Sequence, residues 1–465
     1  MDQMLRCASM EVLQTIRIGD FCFNPSRLAL WDVTIPRDRV CSLLSQVRKP
    51  SDIDIARNML FAHDWCNVHI NPFQINRVGI CIAKNCNLRC RYCSECSTEG
   101  NGEEIPNSQV LTFVADLMTK KVANQMVTGD TSPLKVIFTG GGEPTYEFEK
   151  FCELVIDIKE LAQKNCVPLH LDITTNGAYP VDRIEFLCRH FQSIMISYDG
   201  LPDIQDSNRP SPHFASTSSI VESSIKRVIE VGTPLTLRTT ISPYGICKMK
   251  EMADFLYQRF GTLFSWSIFP VTLKGRATKS YLTNENAPDF FKEFMSLREY
   301  ATGKYGAVKI TSPLFFNHRN DFYCGSLGFL TRVAWLRASG EIVTCLEMDN
   351  DQTVIGRLED NTVAYNKTCC DPLIKITQQK FVECENCIAF PFCRGGCPAD
   401  HRACEKSGEF GVSWACRQTI SYWTYLIQTL TREKKCFGWR LDELLLADGK
   451  GSGVYRMMEE KPHDD

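Results

Sequence analysis

Along the middle of the chain, short apolar runs alternate with longer stretches in which apolar residues return every third or fourth position. The runs at 78–83, 134–138, 169–173, 193–197, 235–240 and 264–271 predict strands. The stretches at 110–121, 148–164, 184–190, 220–230 and 249–260 predict helices. Six β/α units in succession predict a parallel sheet or partial barrel, with its active groups on loops at the C-terminal strand ends. Before them, runs at 13–18, 21–23 and 28–34 predict three short strands, and 39–47 and 51–62 predict two helices, which together make a small α+β module. After residue 305 the rhythm stops, and a hairpin is expected around Ser339-Gly340, between 333–337 and 342–345. The expected organisation is therefore 1–75, 76–305, 306–435 and a polar tail at 436–465.

Composition narrows the chemistry. The 465 residues include 52 Lys+Arg and 55 Asp+Glu, a net charge of -3, which argues against a broad basic face for nucleic acid. No apolar run approaches the ~18 residues of a membrane span. Asp2, Arg6, Glu11 and Arg17 break any signal-peptide core, so a cytoplasmic protein with no membrane partner is expected. The 24 cysteines are the anomaly. A long α/β chain without a secretion signal does not need a disulfide scaffold, so closely spaced cysteines point to metal or catalysis.

The first such group is Cys86-Asn-Leu-Arg-Cys90-Arg-Tyr-Cys93, directly after the first strand of the β/α array. Three thiolates on one compact loop can hold three irons of a cubane, leaving the fourth iron open to bind and activate a small molecule. Cys96 follows three residues later. By spacing alone the four cysteines can instead make a zinc site, although zinc usually takes two separated pairs.

With Tyr92 in its aromatic place, this run resembles the cluster motif of the radical S-adenosylmethionine (SAM) enzymes. Phe138-Thr139-Gly140-Gly141-Gly142-Glu143-Pro144, at the end of the second strand, resembles that family's Gly-Gly-Glu motif. The resemblance implies that Gly141, Gly142 and Glu143 meet the amino group of SAM, since glycines permit close backbone approach and a carboxylate complements an ammonium. It further implies a SAM contact at Ser197, within Ser197-Tyr198-Asp199-Gly200, and a partner for the SAM carboxylate in Arg238. Thr174-Thr175-Asn176-Gly177 closes strand three as in many relatives, and Pro270 with Gly275-Arg276-Ala277 resembles the family's strand-six exit near the adenine.

A second constellation comprises Cys324, Cys345, Cys384, Cys387, Cys393, Cys397 and Cys416. Their order and spacing resemble the SPASM extension of radical SAM enzymes that modify peptides. The resemblance implies two auxiliary 4Fe–4S clusters, one on Cys324, Cys345 and Cys397, the other on Cys384, Cys387, Cys393 and Cys416. The first is one ligand short: Leu330 stands where some relatives have a cysteine, which leaves Cys369, Cys370, Cys404, a substrate thiolate or an open iron. The implied fold is an α/β partial (β/α)6 radical SAM barrel, preceded by a winged-helix-like leader-recognition module and followed by the iron–sulfur domain.

The implied chemistry begins with one electron, from a donor such as flavodoxin or ferredoxin, that converts SAM to a 5′-deoxyadenosyl radical able to take hydrogen from an unactivated carbon. Two branches then diverge. Sulfatase maturases carry an Asp as general base immediately after the cysteine equivalent to Cys345; here that residue is Leu346, with Glu347 and Asp349 nearby. Maturases of ribosomally made peptides often carry a front module like 13–75, which binds the precursor's leader as an added strand. The expected function is a peptide maturase installing an intramolecular cross-link, thioether first because of the short ligand set. Carbon–carbon cross-linking, epimerisation and formylglycine formation are the alternatives. Cys96 is the expected hydrogen-atom donor or redox thiol.

Overall fold

In a computed structural model of the chain, the described residues are 72–271, 274–277, 289–312, 333–346, 353–359, 362–366, 387, 389, 416–422 and 424–425, with the backbone of three earlier strands. Those strands, β1 (Ile16–Ile18), β2 (Phe21–Asn24) and β3 (Ala29–Asp32), form an antiparallel meander, with Ile16 opposite Phe23 and Cys22 opposite Trp31. The helices expected at 39–47 and 51–62 lie outside the described residues.

The main body alternates as expected. It runs β4 (Arg77–Ile80), α1 (Asn107–Thr128), β5 (Leu134–Phe138), α2 (Phe148–Lys164), β6 (Leu169–Thr175), α3 (Val181–His190) and β7 (Ser193–Ser197). It continues through α4 (Pro202–Asn208), α5 (Ser218–Val231), β8 (Leu235–Ile241), α6 (Pro243–Ile246), α7 (Met249–Phe260), β9 (Phe264–Pro270), α8 (Phe290–Tyr305) and β10 (Lys309–Thr311). The hairpin expected around Gly340 is formed by β11 (Val333–Leu336) and β12 (Glu341–Val343), and β13 (Val354–Glu359) and β14 (Thr362–Tyr365) extend it.

All of these strands join one sheet in the order β10-β9-β8-β7-β6-β5-β4-β11-β12-β13-β14. It is parallel from β10 to β11 and antiparallel beyond. The sheet is open, ending on β10 and β14 among the described residues, so the α/β fold is a partial barrel with a mixed extension. The parallel run has eight strands rather than the six expected. The additional two are β10, only three residues long, and β11, expected as a hairpin strand but not as a parallel partner of β4, which it meets from far along the chain, Val333 opposite Arg77.

Alternation explains the packing. In β8, Leu235, Leu237, Thr239 and Ile241 are buried, while Thr236, Arg238 and Thr240 lie on the less covered face. Helix α2 buries Phe151, Leu154, Val155 and Ile158 at helical spacing. Phe151 meets Phe138 edge-on at 5.3 Å and stacks on Phe191 at 6.0 Å. Each such ring contributes roughly 1.5–3 kcal/mol by leaving water. Gly79 opposite Trp335 admits the hairpin: a Cβ there would lie 1.8 Å from the indole.

Candidate active site

Cys86, Cys90 and Cys93 sit half-buried on the loop leaving β4. The Leu88 N–H donates to Cys86 Sγ at 3.4 Å, the Asn176 amide reaches the same sulfur at 3.7 Å, and Ser97 Oγ lies 3.4 Å from Cys93 Sγ. Burial pushes the Cys86 thiol up to about 12, with the Glu143 charge adding to it. Burial also pushes Cys90 up to about 11, against the pull of Arg209. Sulfurs so placed become thiolates when a cation compensates them. Among the described residues, no three Cys, His, Asp or Glu side chains converge on one ion position, as a zinc site requires. A cubane takes each thiolate on a different iron, and three thiols on one loop fit it.

The glycine loop after β5 lies flat against this segment. Gly142 N–H donates to Ala83 O at 2.7 Å, Glu143 N–H to Asn85 O at 2.8 Å, and Ser97 Oγ to Gly141 O at 2.6 Å. Gly140 and Gly141 are left-handed, with φ of 75° and 69°. A Cβ on Gly142 would fall 1.9 Å from Asn85 O. Beneath Gly140, Cys81 donates its S–H to Thr139 O at 2.9 Å, a buried thiol serving as a small filler.

Glu143 does more than the sequence indicated. It is 4% exposed, and its carboxylate accepts from Thr145 Oγ1 at 2.8 Å, Thr175 Oγ1 at 2.7 Å and Asn176 N–H at 2.8 Å. Burial raises its carboxyl, while these donors act in the opposite direction. Oε1 is saturated by Thr145 and Thr175, whereas Oε2 receives only Asn176 among these donors and retains acceptor capacity for an ammonium. The loop after β6 also reaches the cluster loop, since Asn176 Nδ2 donates to Asn87 Oδ1 at 2.8 Å.

Tyr92 turns inward and donates its hydroxyl to the buried Asp199. Asp199 also accepts from Asn208 Nδ2 at 3.2 Å, Arg209 Nη2 at 3.1 Å and Thr240 N–H at 3.1 Å. Ser197 lies beside Arg238 in the β7–β8 register, and Arg238 Cζ stands 4.2 Å from the Phe269 ring centroid. Arg276 grips the cluster loop from the other side: its N–H donates to Cys93 O at 3.0 Å, and its guanidinium to Cys90 O at 3.3 Å and to Ser97 O. Gly275 is left-handed there, and a Cβ on it would lie 2.1 Å from Cys93 O. Cys96 is exposed and also left-handed, at φ 51°.

Sequence reading missed Arg209 and the role of Asp199. The signal available was Asp199 and Arg209 flanking a short helix; their pairing is tertiary. Of the second cysteine group, Cys345 is buried just beyond β12, and Cys387 and Cys416 are half-buried. Cys324, Cys384, Cys393 and Cys397 lie outside the described residues, as do Leu330, Cys369, Cys370, Cys404, Glu347 and Asp349. Leu346, following Cys345, brings Cδ1 to 3.0 Å from the Cβ position at Gly140, which places it against the glycine loop.

Residues 80–256 match the family model described as the Radical SAM superfamily. The chain carries a radical SAM domain. Its chemistry is enzymatic, and its cofactors are SAM and 4Fe–4S clusters. The chain is 21% identical over 373 residues to the cysteine-type anaerobic sulfatase-maturating enzyme of Clostridium novyi (strain NT), covering 75% of this chain and 96% of that protein. The structure of polyhistidine-tagged anSMEcpe with bound AdoMet superposes with a TM-score of 0.60 at 17% identity, covering 77% of this chain and 98% of that one. Native anSMEcpe with bound AdoMet and the Cp18Cys peptide gives 0.57 at 16% identity, covering 77% and 99%. These likenesses establish the radical SAM fold. No helix among the described residues is long and apolar enough to cross a membrane.

Proposed function

We propose that this radical SAM enzyme modifies a residue within a polypeptide, and that the modification is an intramolecular cross-link, a thioether first. The observation that carries the reading is the docking of the three-thiol loop onto the Gly141–Glu143 backbone at the C-terminal end of the sheet. Bound there, the cluster and SAM supply hydrogen-atom abstraction from an unactivated carbon. Cys86, Cys90 and Cys93 hold the cluster, and Tyr92 anchors their loop. Gly141 and Gly142 let a ligand approach the backbone, Glu143 Oε2 takes its ammonium, Arg238 takes its carboxylate, and Ser197 is a further polar contact. Cys345, Cys387 and Cys416, together with Cys324, Cys384, Cys393 and Cys397, hold the auxiliary clusters, and the front module takes the leader of the precursor.

A polypeptide substrate is supported by the peptide bound in the solved relative. Leu346 counts against formylglycine formation, because it stands where the resemblance places the sulfatase maturases' Asp base, and an aliphatic side chain cannot accept a proton. Formylglycine formation is the second reading, favoured by the sulfatase-maturating relative, which the chain matches over nearly the whole of that protein's length. Anaerobic turnover of a cysteine-containing peptide separates the two. Retained sulfur that resists alkylation supports the thioether. Lost sulfur with a hydrazine-reactive aldehyde replaces it by the second reading. Absence of SAM cleavage in the reconstituted protein overturns both. Cys96 is the proposed hydrogen donor or redox thiol, and unchanged yield and stereochemistry in C96A remove it.

A further inference from the structure

We infer that Arg209 is a positioning residue that sets the reduction potential of the cluster held by Cys86, Cys90 and Cys93, with Asp199 as its counterweight. The inference rests on the reading of that loop as the radical SAM cluster site.

Helix α4 ends between two backbone ties to the cluster loop: Arg91 N–H donates to Asn208 O at 2.9 Å, and Arg89 N–H to Pro210 O at 2.7 Å. Arg209, between these carbonyls, carries its guanidinium behind the loop, with Cζ 5.3 Å from the Tyr92 ring centroid. Its side chain is 7% exposed and that of Asp199 0%. A cation this buried is costly unless charge and hydrogen bonds answer it. Asp199 answers through one nitrogen at 3.1 Å, and Thr240 Oγ1 adds a contact at 3.4 Å. Among the described residues, Arg209 Nε is buried without a partner, as is Nε2 of the neighbouring Gln205. A buried donor left unmet keeps its full desolvation cost, so two of them in one small core point to compensation elsewhere.

A cluster on this loop would turn its cysteines into thiolates, whose negative charge would answer the guanidinium that reaches the loop at Tyr92. Loading a cluster places negative charge on Cys86, Cys90 and Cys93, and adding an electron increases it. A fixed cation in this low-dielectric core favours the more negative state, and a fixed anion disfavours it. Tyr92 couples the pair to the loop, because its hydroxyl donates to Asp199 from the position between Cys90 and Cys93. Net charge and the hydrogen bonds around the ligands are the levers a protein has on cluster potential. Arg209 and Asp199 apply them with opposite sign.

The test is an EPR-monitored redox titration of the reconstituted full-length protein, following the cluster signal that SAM perturbs. Arg209→Gln is expected to weaken electron affinity on the order of tenfold, a fall of about 59 mV. Arg209→Lys restores most of it. Asp199→Asn moves the potential the other way. A merely structural role would lower iron content without opposite shifts. If R209Q fails to fold, D199N decides alone: a higher potential supports the inference, and an unchanged or lower one overturns it. Full loading of R209Q at the wild-type potential also overturns it. A wild-type protein with no SAM-perturbed signal overturns the functional reading itself.

Discussion

Glu143 accepts the backbone N–H of Asn176 at 2.8 Å, which locks the loop leaving β5 to the loop leaving β6. Thr175 Oγ1 strengthens the lock at 2.7 Å. Through Asn176 and Asn87 it extends to the cluster loop, so one carboxylate organises three strand exits. An apolar site cannot do this, because each of these loops has donors that must be met away from water.

Replacing Glu143 by Gln removes an acceptor and places an amide donor among donors. The expected loss is about 1–3 kcal/mol of stability, read from urea midpoints. SAM affinity is expected to fall with it. Unchanged stability would show that the carboxylate is not the lock.

Gly142→Ala puts a methyl 1.9 Å from Asn85 O, which is backbone and cannot swing aside. Overpacking of this kind costs about 1–3 kcal/mol and displaces the loop. Gly303→Ala is the control: that glycine is in α8, with nothing among the described residues beyond its own helix backbone within 4 Å of the added Cβ, and about 0.5–1 kcal/mol of stabilisation is expected. SAM binding by equilibrium dialysis should be lost in the first variant and kept in the second.

Asp172 carries a pH signature. Its carboxylate meets Lys135 Nζ at 2.6 Å, Ser193 Oγ at 2.6 Å and His170 Nε2 at 3.0 Å. Burial works to raise its carboxyl, but the hydrogen bonds from Lys135 and Ser193 outweigh it, and the group is held below 3.8. The folded chain binds this proton less tightly than the unfolded chain. The stabilisation is therefore full above the unfolded value and fades as acid titrates the folded carboxylate. Asp172→Asn is expected to cost about 1–2 kcal/mol near neutral pH, with the difference from wild type shrinking as acid titrates the folded carboxylate. Parallel stability–pH curves for the two proteins would refute the assignment.

Gly79→Ala drives a methyl into the Trp335 indole, at 1.8 Å from its nearest carbon. The β4–β11 pairing should loosen, at about 1–3 kcal/mol, along with the hairpin that delivers Cys345. Gly79→Ala with Trp335→Ala should recover part of the loss, and strict additivity of the two changes in thermal denaturation would argue against the contact.

Local chemistry was legible in the chain because it is written in short spacings. Cys86, Cys90 and Cys93 need only a compact loop after a strand, and Gly140–Glu143 need only the next strand's exit. Strands such as Leu134–Phe138 and Ser193–Ser197 and the helix Phe148–Lys164 appear where periodicity put them, since two-residue and 3.6-residue repeats dictate which face is apolar. Tertiary structure decided the rest. It paired Val333 with Arg77, aimed Arg209 and Tyr92 at Asp199, committed Glu143 to Thr175 and Asn176, and set Leu346 against Gly140. Those partners lie on different strand exits, and a buried polar group takes whichever donor or charge the folded backbone brings within about 3 Å of it, a choice that no local repeat encodes.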